Sequence, residues 1–288
     1  MSANIEIIRT VRDLRDRVRG WRRAGESVGM VPTMGFLHDG HLSLVRNSRA
    51  QNDRTVVSIF VNPKQFDRAS DLEAYPRDMD RDSALLAEAG VDAIWSPDPS
   101  EMYPDGFATT VDVSGLTDCL CGATRPGHFG GVAVVVTKLL LQCLPDRAYF
   151  GRKDFQQLMV VRRLVADLNI PVEVRGIDTV RETDGLAMSS RNWYLTESER
   201  AVAPTLFRVL TDIAEAAGQG DDVARALERG RARLNDKGFG KVDYLEVRDA
   251  ADLSLTTRPK RPARAFAAVF LGKARLIDNV AVDPPEPA

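Results

Sequence analysis

Hydrophobic positions along this chain alternate between solid runs and helical stripes. Ile5 to Ile8 is a short run, and Val11, Leu14, Val18 and Trp21 then recur at helical spacing among arginines, behind Thr10 as a helix cap. Val28 to Val31 is a second run, broken by Pro32 and Gly35, after which Leu42, Leu44 and Val45 open a new periodic segment. Thr55 to Val61 is β-branched and nearly all apolar, the pattern of a strand buried on both faces. Asp71 to Arg77 reads as a loop, Met79 to Ala89 as a helix, Val91 to Trp95 as a strand and Ser96 to Gly106 as a loop. Val111 to Arg125 is irregular, Val132 to Cys143 an apolar helix and Arg147 to Phe150 a strand. A helix reaching about Leu168 and a strand over Pro171 to Gly176 follow. Repeated strand–helix–strand units predict an α/β fold with a Rossmann-type doubly wound parallel sheet.

The last third has a different rhythm. Ile177 to Arg181 is expected to leave the first domain. Thr196-Glu197-Ser198-Glu199 has the form of a capping box, which predicts a helix from about Glu197 to Ala217. A turn at Gly218-Gln219-Gly220 leads to a helix over Asp221 to Leu234. Strands are predicted over Val242 to Val247, Ala265 to Leu271 and Ala274 to Asn279, the last two joined by a hairpin at Gly272-Lys273. The tail from Pro284 to Ala288 is expected to be disordered. These features divide the chain into a Rossmann-type first domain over residues 1–179 and a smaller α+β lid domain over residues 180–288.

Composition narrows the functional classes. With 44% hydrophobic and 28% charged residues in 288, the chain reads as a soluble globular protein. A net charge of −2 gives no basic surface for nucleic acid. No apolar run has the ~18 residues of a membrane span, and Met1 to Thr10 lacks the apolar core of a signal peptide. A cytoplasmic location is therefore expected. Cys119, Cys121 and Cys143 are too few and odd in number for a disulfide framework, and Cys119-x-Cys121 has no second pair with which to build a zinc site. No metal-ligating residues are assigned.

The chemistry concentrates where strands give way to helices. Residues 28–45 read as strand, tight turn and helix start. Exposed backbone N–H groups and the helix dipole make such a turn an anion site. Gly35 and Gly40 permit close approach of a ligand, and His38 and His41 project near one spot if the helix begins around His38. A metal pair is the competing reading, but the HExxH frame is missing. Asn62 and Gln65 follow the next strand, where ligands of open α/β sheets bind. Asp78, Asp80 and Asp82 fall in a helix first turn, which suits the dipole and leaves room for a part in holding Mg²⁺. Arg125 precedes a glycine-rich turn and could hold a carboxylate or a phosphate; His128 has no assigned role. In Gly151-Arg152-Lys153-Asp154-Phe155-Gln156-Gln157 the lysine can reach a phosphate, Asp154 can cap the helix, and Gln157 shares their face. Met188-Ser189-Ser190-Arg191 offers hydroxyls and a guanidinium as a triphosphate clamp.

Pro32-Thr33-Met34-Gly35-Phe36-Leu37-His38-Asp39-Gly40-His41 resembles the HIGH motif as the pantothenate synthetase family carries it, within the nucleotidylyltransferase superfamily. The resemblance extends to Phe60-Val61-Asn62-Pro63-Lys64-Gln65-Phe66, to Arg125-Pro126-Gly127-His128-Phe129-Gly130-Gly131-Val132 and to residues 151–157. Arg152 and Phe155 stand where the family usually has glutamate and tyrosine. About 150 residues beyond His38, Met188 to Arg191 resembles the superfamily's second signature. The resemblance implies ATP-dependent condensation of pantoate with β-alanine through a pantoyl adenylate, with Mg²⁺ and a homodimer. It implies His38, His41, Lys153 and Arg191 as catalytic residues. It further implies a nucleotide site of Met34 to His41, Gly151 to Asp154, Val180 and Met188 to Arg191, and substrate contacts from Gln65, Gln157 and Arg125. Two other classes stay open: a nucleotidylyltransferase that forms no amide, and a non-catalytic nucleotide-binding module.

Overall fold

The structure is a computed structural model that describes residues 5–66 and 72–283; Asp71 of the predicted loop and the tail from Pro284 lie outside the described residues. The chain forms two compact units. One comprises Met1–Thr117, Arg125–Arg152 and Gln157–Asp178, and the other Asp118–Thr124, Lys153–Gln156 and Thr179–Ala288.

The first unit is built on a six-stranded parallel sheet. Its strands are β1 (Glu6–Ile8), β2 (Val28–Thr33), β3 (Arg54–Ile59), β4 (Ala93–Trp95), β5 (Arg147–Gly151) and β6 (Glu173–Ile177), in the order β1-β4-β3-β2-β5-β6. Parallel pairing needs crossovers, supplied by α1 (Val11–Arg23), α2 (Asp39–Gln51), α3 (Met79–Glu88) and α6 (His128–Cys143), with α7 (Phe155–Asp167) between β5 and β6. Short helix α4 (Pro99–Met102) interrupts the predicted loop of this unit, and α5 (Leu120–Thr124), in the second unit, interrupts the segment expected to be irregular. Thr10 caps α1 by accepting the Asp13 N–H, as its position in the sequence predicts. Val31, Leu37, Leu44, Val45, Val57, Leu86 and Ile94 form a core beneath the helices.

Strand order reverses between β2 and β5, where a doubly wound sheet opens its ligand crevice. The register shows how. β2 pairs with β5 only at Gly29–Arg147 and Met30–Ala148, but with β3 through Thr33. The strand was expected to break at Pro32; it continues instead. The Phe60 N–H donates to the Thr33 carbonyl, so the polar groups of Thr33 face β3. Those of Pro32 face the other way, where the ladder has already ended, and the missing N–H costs no pairing.

The second unit packs α8 (Glu197–Val202), α9 (Thr205–Gly218) and α10 (Val223–Asp236) with an antiparallel sheet in the order β7 (Val242–Asp249), β8 (Ala263–Leu271), β9 (Ala274–Val282). The single helix predicted from Glu197 to Ala217 is two, because Pro204 cannot continue the first and sits at the N-terminus of the second. The capping box at Thr196 and Glu199 forms as expected. Leu206, Leu210 and Ile213 meet Ala265, Ala267 and Val269 in its core. Small residues on β8 leave room for α9.

Candidate active site

Beyond Thr33 the chain turns sharply. Gly35 has φ +81°, and a Cβ there would lie 3.0 Å from Asp82 Oδ2 and from Ile59 Cγ2, so glycine is required twice over. Phe36 follows at φ +51°, in the left-handed region despite its side chain. Asp82 holds this turn: its Oδ2 accepts the Phe36 N–H at 2.7 Å and its Oδ1 the Leu37 N–H at 2.8 Å. The residue is 1% exposed. Burial pushes its carboxyl above the usual range, and the two backbone N–H donors pull against that shift without cancelling it. Asp82 thus stands in the first turn of α3, as expected, and holds the glycine turn as well. The only sequence signal was an acidic residue in a first turn, which is common and uninformative.

His38 is the N-cap of α2. Its Nδ1 accepts the Gly40 N–H at 3.1 Å, and His41 Nδ1 faces the His38 N–H at 3.4 Å, a capping box made of imidazoles. The ring centroids are 4.1 Å apart. With Nδ1 acting as acceptor in both rings, the ring proton sits on Nε2. Each imidazole then carries its N–H at its outer edge. Asp39 lies exposed in the first turn of the same helix.

The segment after β3 forms a 3-10 turn, Pro63–Gln65, capped by Asn62. Asn62 is buried and fully engaged. Its Nδ2 donates to Gln65 Oε1 at 3.1 Å and to the Gly131 carbonyl at 3.0 Å, and its Oδ1 accepts the Tyr103 hydroxyl at 2.7 Å. It positions Gln65, whose Nε2 points at the Met34 sulfur at 2.8 Å. A thioether is a weak acceptor that a substrate oxygen can replace. Arg125 Nη2 and His128 Nδ1 both donate to the Gln65 carbonyl, at 3.1 and 3.0 Å, and Arg125 Nη1 donates to His128 Nε2 at 3.2 Å. This gives His128 a place that sequence alone did not. Its glycine-rich turn is narrower than predicted: α6 already begins at His128, and Gly127, φ +81°, is the turn residue. Gly131 lies inside the helix, where a Cβ would stand 2.1 Å from the Lys64 carbonyl oxygen; only a glycine lets α6 touch the turn.

Gln157 is half-buried on α7, which starts after a 3-10 turn over Arg152–Asp154. Arg152, which stands where the family usually has glutamate, pairs with Asp178 at 2.8 Å, which offsets its charge.

The remaining expected ligands belong to the second unit. Lys153, largely buried, lies 3.7 Å from Asp154. Phe155 packs beneath the Arg264 guanidinium, 4.6 Å from its ring centroid, so the residue that departs from the family tyrosine is held by cation–π contact. Val180 belongs to a short ladder: its carbonyl accepts the Met188 N–H at 3.0 Å, and Arg181 bridges Ala187. Ser189 then caps a 3-10 turn, Ser190–Tyr194, by accepting the Arg191 N–H at 3.2 Å. The structure thus groups Met34 to His41, Gln65, Arg125 and Gln157 in one unit, and Lys153, Asp154, Val180 and Met188 to Arg191 in the other. Among the described residues no group of three or more His, Cys, Asp or Glu is placed to hold a metal ion, and no helix is long and apolar enough to cross a membrane.

Residues 6–281 match the family model of pantoate-beta-alanine ligase. The chain belongs to the pantoate-beta-alanine ligase family. It is 55% identical to a pantothenate synthetase of Paramagnetospirillum magneticum, covering 99% of this chain and 100% of the relative. It is 56% identical to one of Cereibacter sphaeroides, covering 96% and 99%. A crystal structure of pantothenate synthetase from Thermus thermophilus superposes with a TM-score of 0.91 at 50% identity, covering 97% of this chain and 100% of that one. The Francisella tularensis pantoate-beta-alanine ligase, solved in complex with beta-gamma ATP and beta-alanine, gives 0.82 at 34% identity, covering 96% and 97%. Membership makes the chain a ligase that joins pantoate to β-alanine at the expense of ATP, and decides against the binding module.

Proposed function

We propose that this ligase works in two half-reactions, with the residues described above in definite roles. In the first, a pantoate carboxylate oxygen attacks the α-phosphorus of ATP. A P–O bond forms, the bond to the bridging oxygen breaks, and pyrophosphate leaves with that electron pair. In the second, the β-alanine amine attacks the acyl carbon of pantoyl adenylate; AMP leaves with the C–O electron pair, and the nitrogen loses a proton. Adenylation is needed because a free carboxylate offers an amine no adequate leaving group.

The observation that carries this reading is the imidazole capping box. Two Nε2–H groups fixed at the start of α2 are suited to the charge that develops on phosphate oxygens. Lys153, Ser189, Ser190 and Arg191 act on the departing pyrophosphate. Gln65 and Gln157 are assigned to pantoate, Gln65 exchanging the Met34 sulfur for a substrate oxygen, and Gln65 is assigned to β-alanine as well. Arg125, tied to the Gln65 carbonyl, acts by holding that glutamine. Mg²⁺ enters on the nucleotide's phosphates as part of the substrate, in keeping with its preference for few protein ligands. The proposal keeps residues 1–179 as the nucleotide and pantoate domain and residues 180–288 as the lid domain. A cytoplasmic homodimer completes the proposal, on the strength of the resemblance.

Pantoate-dependent exchange of labelled pyrophosphate into ATP, without β-alanine, tests the first half-reaction. His41→Ala should abolish exchange in a protein that keeps its circular dichroism spectrum. Normal exchange by that variant would remove His41 from the mechanism.

A further inference from the structure

Two adjacent side chains on β9 join the segments that carry the second unit's proposed phosphate ligands. Asp278 and Asn279 are only 4% and 2% exposed. Asp278 takes the Arg181 guanidinium with both oxygens, Oδ2 to Nη1 at 2.6 Å and Oδ1 to Nη2 at 2.9 Å, and its Oδ1 also accepts the Asn279 N–H at 2.8 Å. The same guanidinium donates to the Gly185 carbonyl at 3.0 Å and lies 3.8 Å over the Phe207 ring. Arg181 stands at the base of the ladder that ends in Met188 and delivers Ser189, Ser190 and Arg191. Asn279 reaches the other segment: its Nδ2 donates to the Lys153 carbonyl at 2.9 Å, while its Oδ1 accepts Arg264 Nε at 2.5 Å. Successive side chains of a strand point to opposite faces. The edge strand therefore grips one segment from each face, and both of its grips are buried and hydrogen-bonded.

We propose that Asp278 and Asn279 are positioning residues for adenylation: one strand fixes Lys153 and the Ser189–Arg191 clamp relative to each other within the second unit. The proposal rests on Lys153 and Arg191 acting on pyrophosphate. Neither β9 residue touches substrate. A bidentate arginine pair and a two-sided amide resist displacement in ways that a single contact does not, and misplacement of binding groups by about 1 Å can lower a rate roughly 100-fold.

The two half-reactions separate positioning from general damage. Asn279→Asp keeps an acceptor for Arg264 but loses the donor to the Lys153 carbonyl. Asp278→Asn loses one arm of the Arg181 pair. Each purified variant is assayed for pantoate-dependent pyrophosphate exchange and, separately, for pantothenate formation from supplied pantoyl adenylate and β-alanine. The expected result is at least a tenfold loss of exchange with amide formation within about twofold of the parent, because the second step has no pyrophosphate to hold. Equal losses in both steps, or full exchange activity in Asn279→Asp, would overturn the proposal. If Asp278→Asn does not fold, Asn279→Asp still decides, since its Arg264 partner remains paired. Lys153→Ala and Arg191→Ala run alongside: unimpaired exchange in both defeats the assignment of the ligands themselves, independently of β9.

Discussion

Removing the Asp82 carboxylate should uncouple the histidine turn from the fold. In Asp82→Ala the N–H groups of Phe36 and Leu37 both lose their acceptor. Leaving a buried donor unsatisfied costs roughly 1–3 kcal/mol, so the pair should cost about 2–6 kcal/mol. For a unit of this size, each kcal/mol lowers Tm by about 2–4 °C, so a fall on the order of 10 °C is expected. Phe36 sits in the left-handed region, a conformation that its hydrogen bond to Asp82 helps to hold, so the turn should also relax. His38 follows two residues later, and a shift of about 1 Å there should reduce pyrophosphate exchange by roughly 100-fold. Asp82→Asn sharpens the test. It retains the volume and one accepting oxygen but turns an NH₂ toward the other N–H, so its Tm should lie between those of parent and alanine variant. Thermal melts followed by circular dichroism, with exchange measured well below the melt, give both readings. A parent-like Tm and exchange rate in Asp82→Ala would refute the claim that this carboxylate holds the turn.

Three further outcomes follow from particular contacts. Gly131→Ala drives a Cβ into the Lys64 carbonyl and should cost about 1–3 kcal/mol as overpacking, with KM for pantoate rising as the Gln65 turn is displaced; pantoate titration of the exchange rate checks it. Cys143 is buried and its thiol is pushed up to about 12, so iodoacetamide at pH 8 should leave it unmodified until the chain unfolds, which peptide mass mapping would show. Burial alone would raise the Asp243 carboxyl, but hydrogen bonds from Lys241 and Arg275 outweigh it and hold the group below the usual range. A depressed pKa stabilises the fold above the unfolded carboxylate value of about 3.9 and is lost as pH falls through the folded value. Asp243→Asn should therefore be less stable than the parent at neutral pH and converge with it in acid, as urea melts across that range would report.

What could be read from the sequence was whatever local pattern decides. Solid apolar runs marked the strands of the parallel sheet, and Thr10 and Thr196 announced helices that do begin there. Pro32 misled because a proline's cost depends on which neighbour its missing N–H would have faced, a fact of register rather than of sequence. Pro204 was the reverse, a break that an unbroken apolar stripe concealed. At the site, the glycines and histidines of residues 35–41 were conspicuous because their chemistry is unusual in a turn. Asp82 and Gly131 were not, since each acts on a residue dozens of positions away; Asn62 stood out by its place after β3, but its task of holding Gln65 did not. The assignment of Gln157 over Gln156 as the ligand came from the resemblance; the structure gives Gln156 a separate task, donating to the Cys119 carbonyl at 2.8 Å and accepting the Cys121 N–H at 3.0 Å.

The imidazole capping box also bears on how an anion is captured as against how it is gripped. Rings whose Nδ1 atoms already accept backbone N–H groups meet a phosphate as neutral dipoles. In the proposed mechanism, a dipole of this kind exerts little pull at range and its part is to act on a phosphate already in contact. Full charges such as Lys153 and Arg191 reach roughly a Debye length, about 8 Å at physiological salt. On the proposed roles, long-range attraction and close-range discrimination fall to different stretches of chain, and added salt is expected to weaken the first while leaving the second nearly intact.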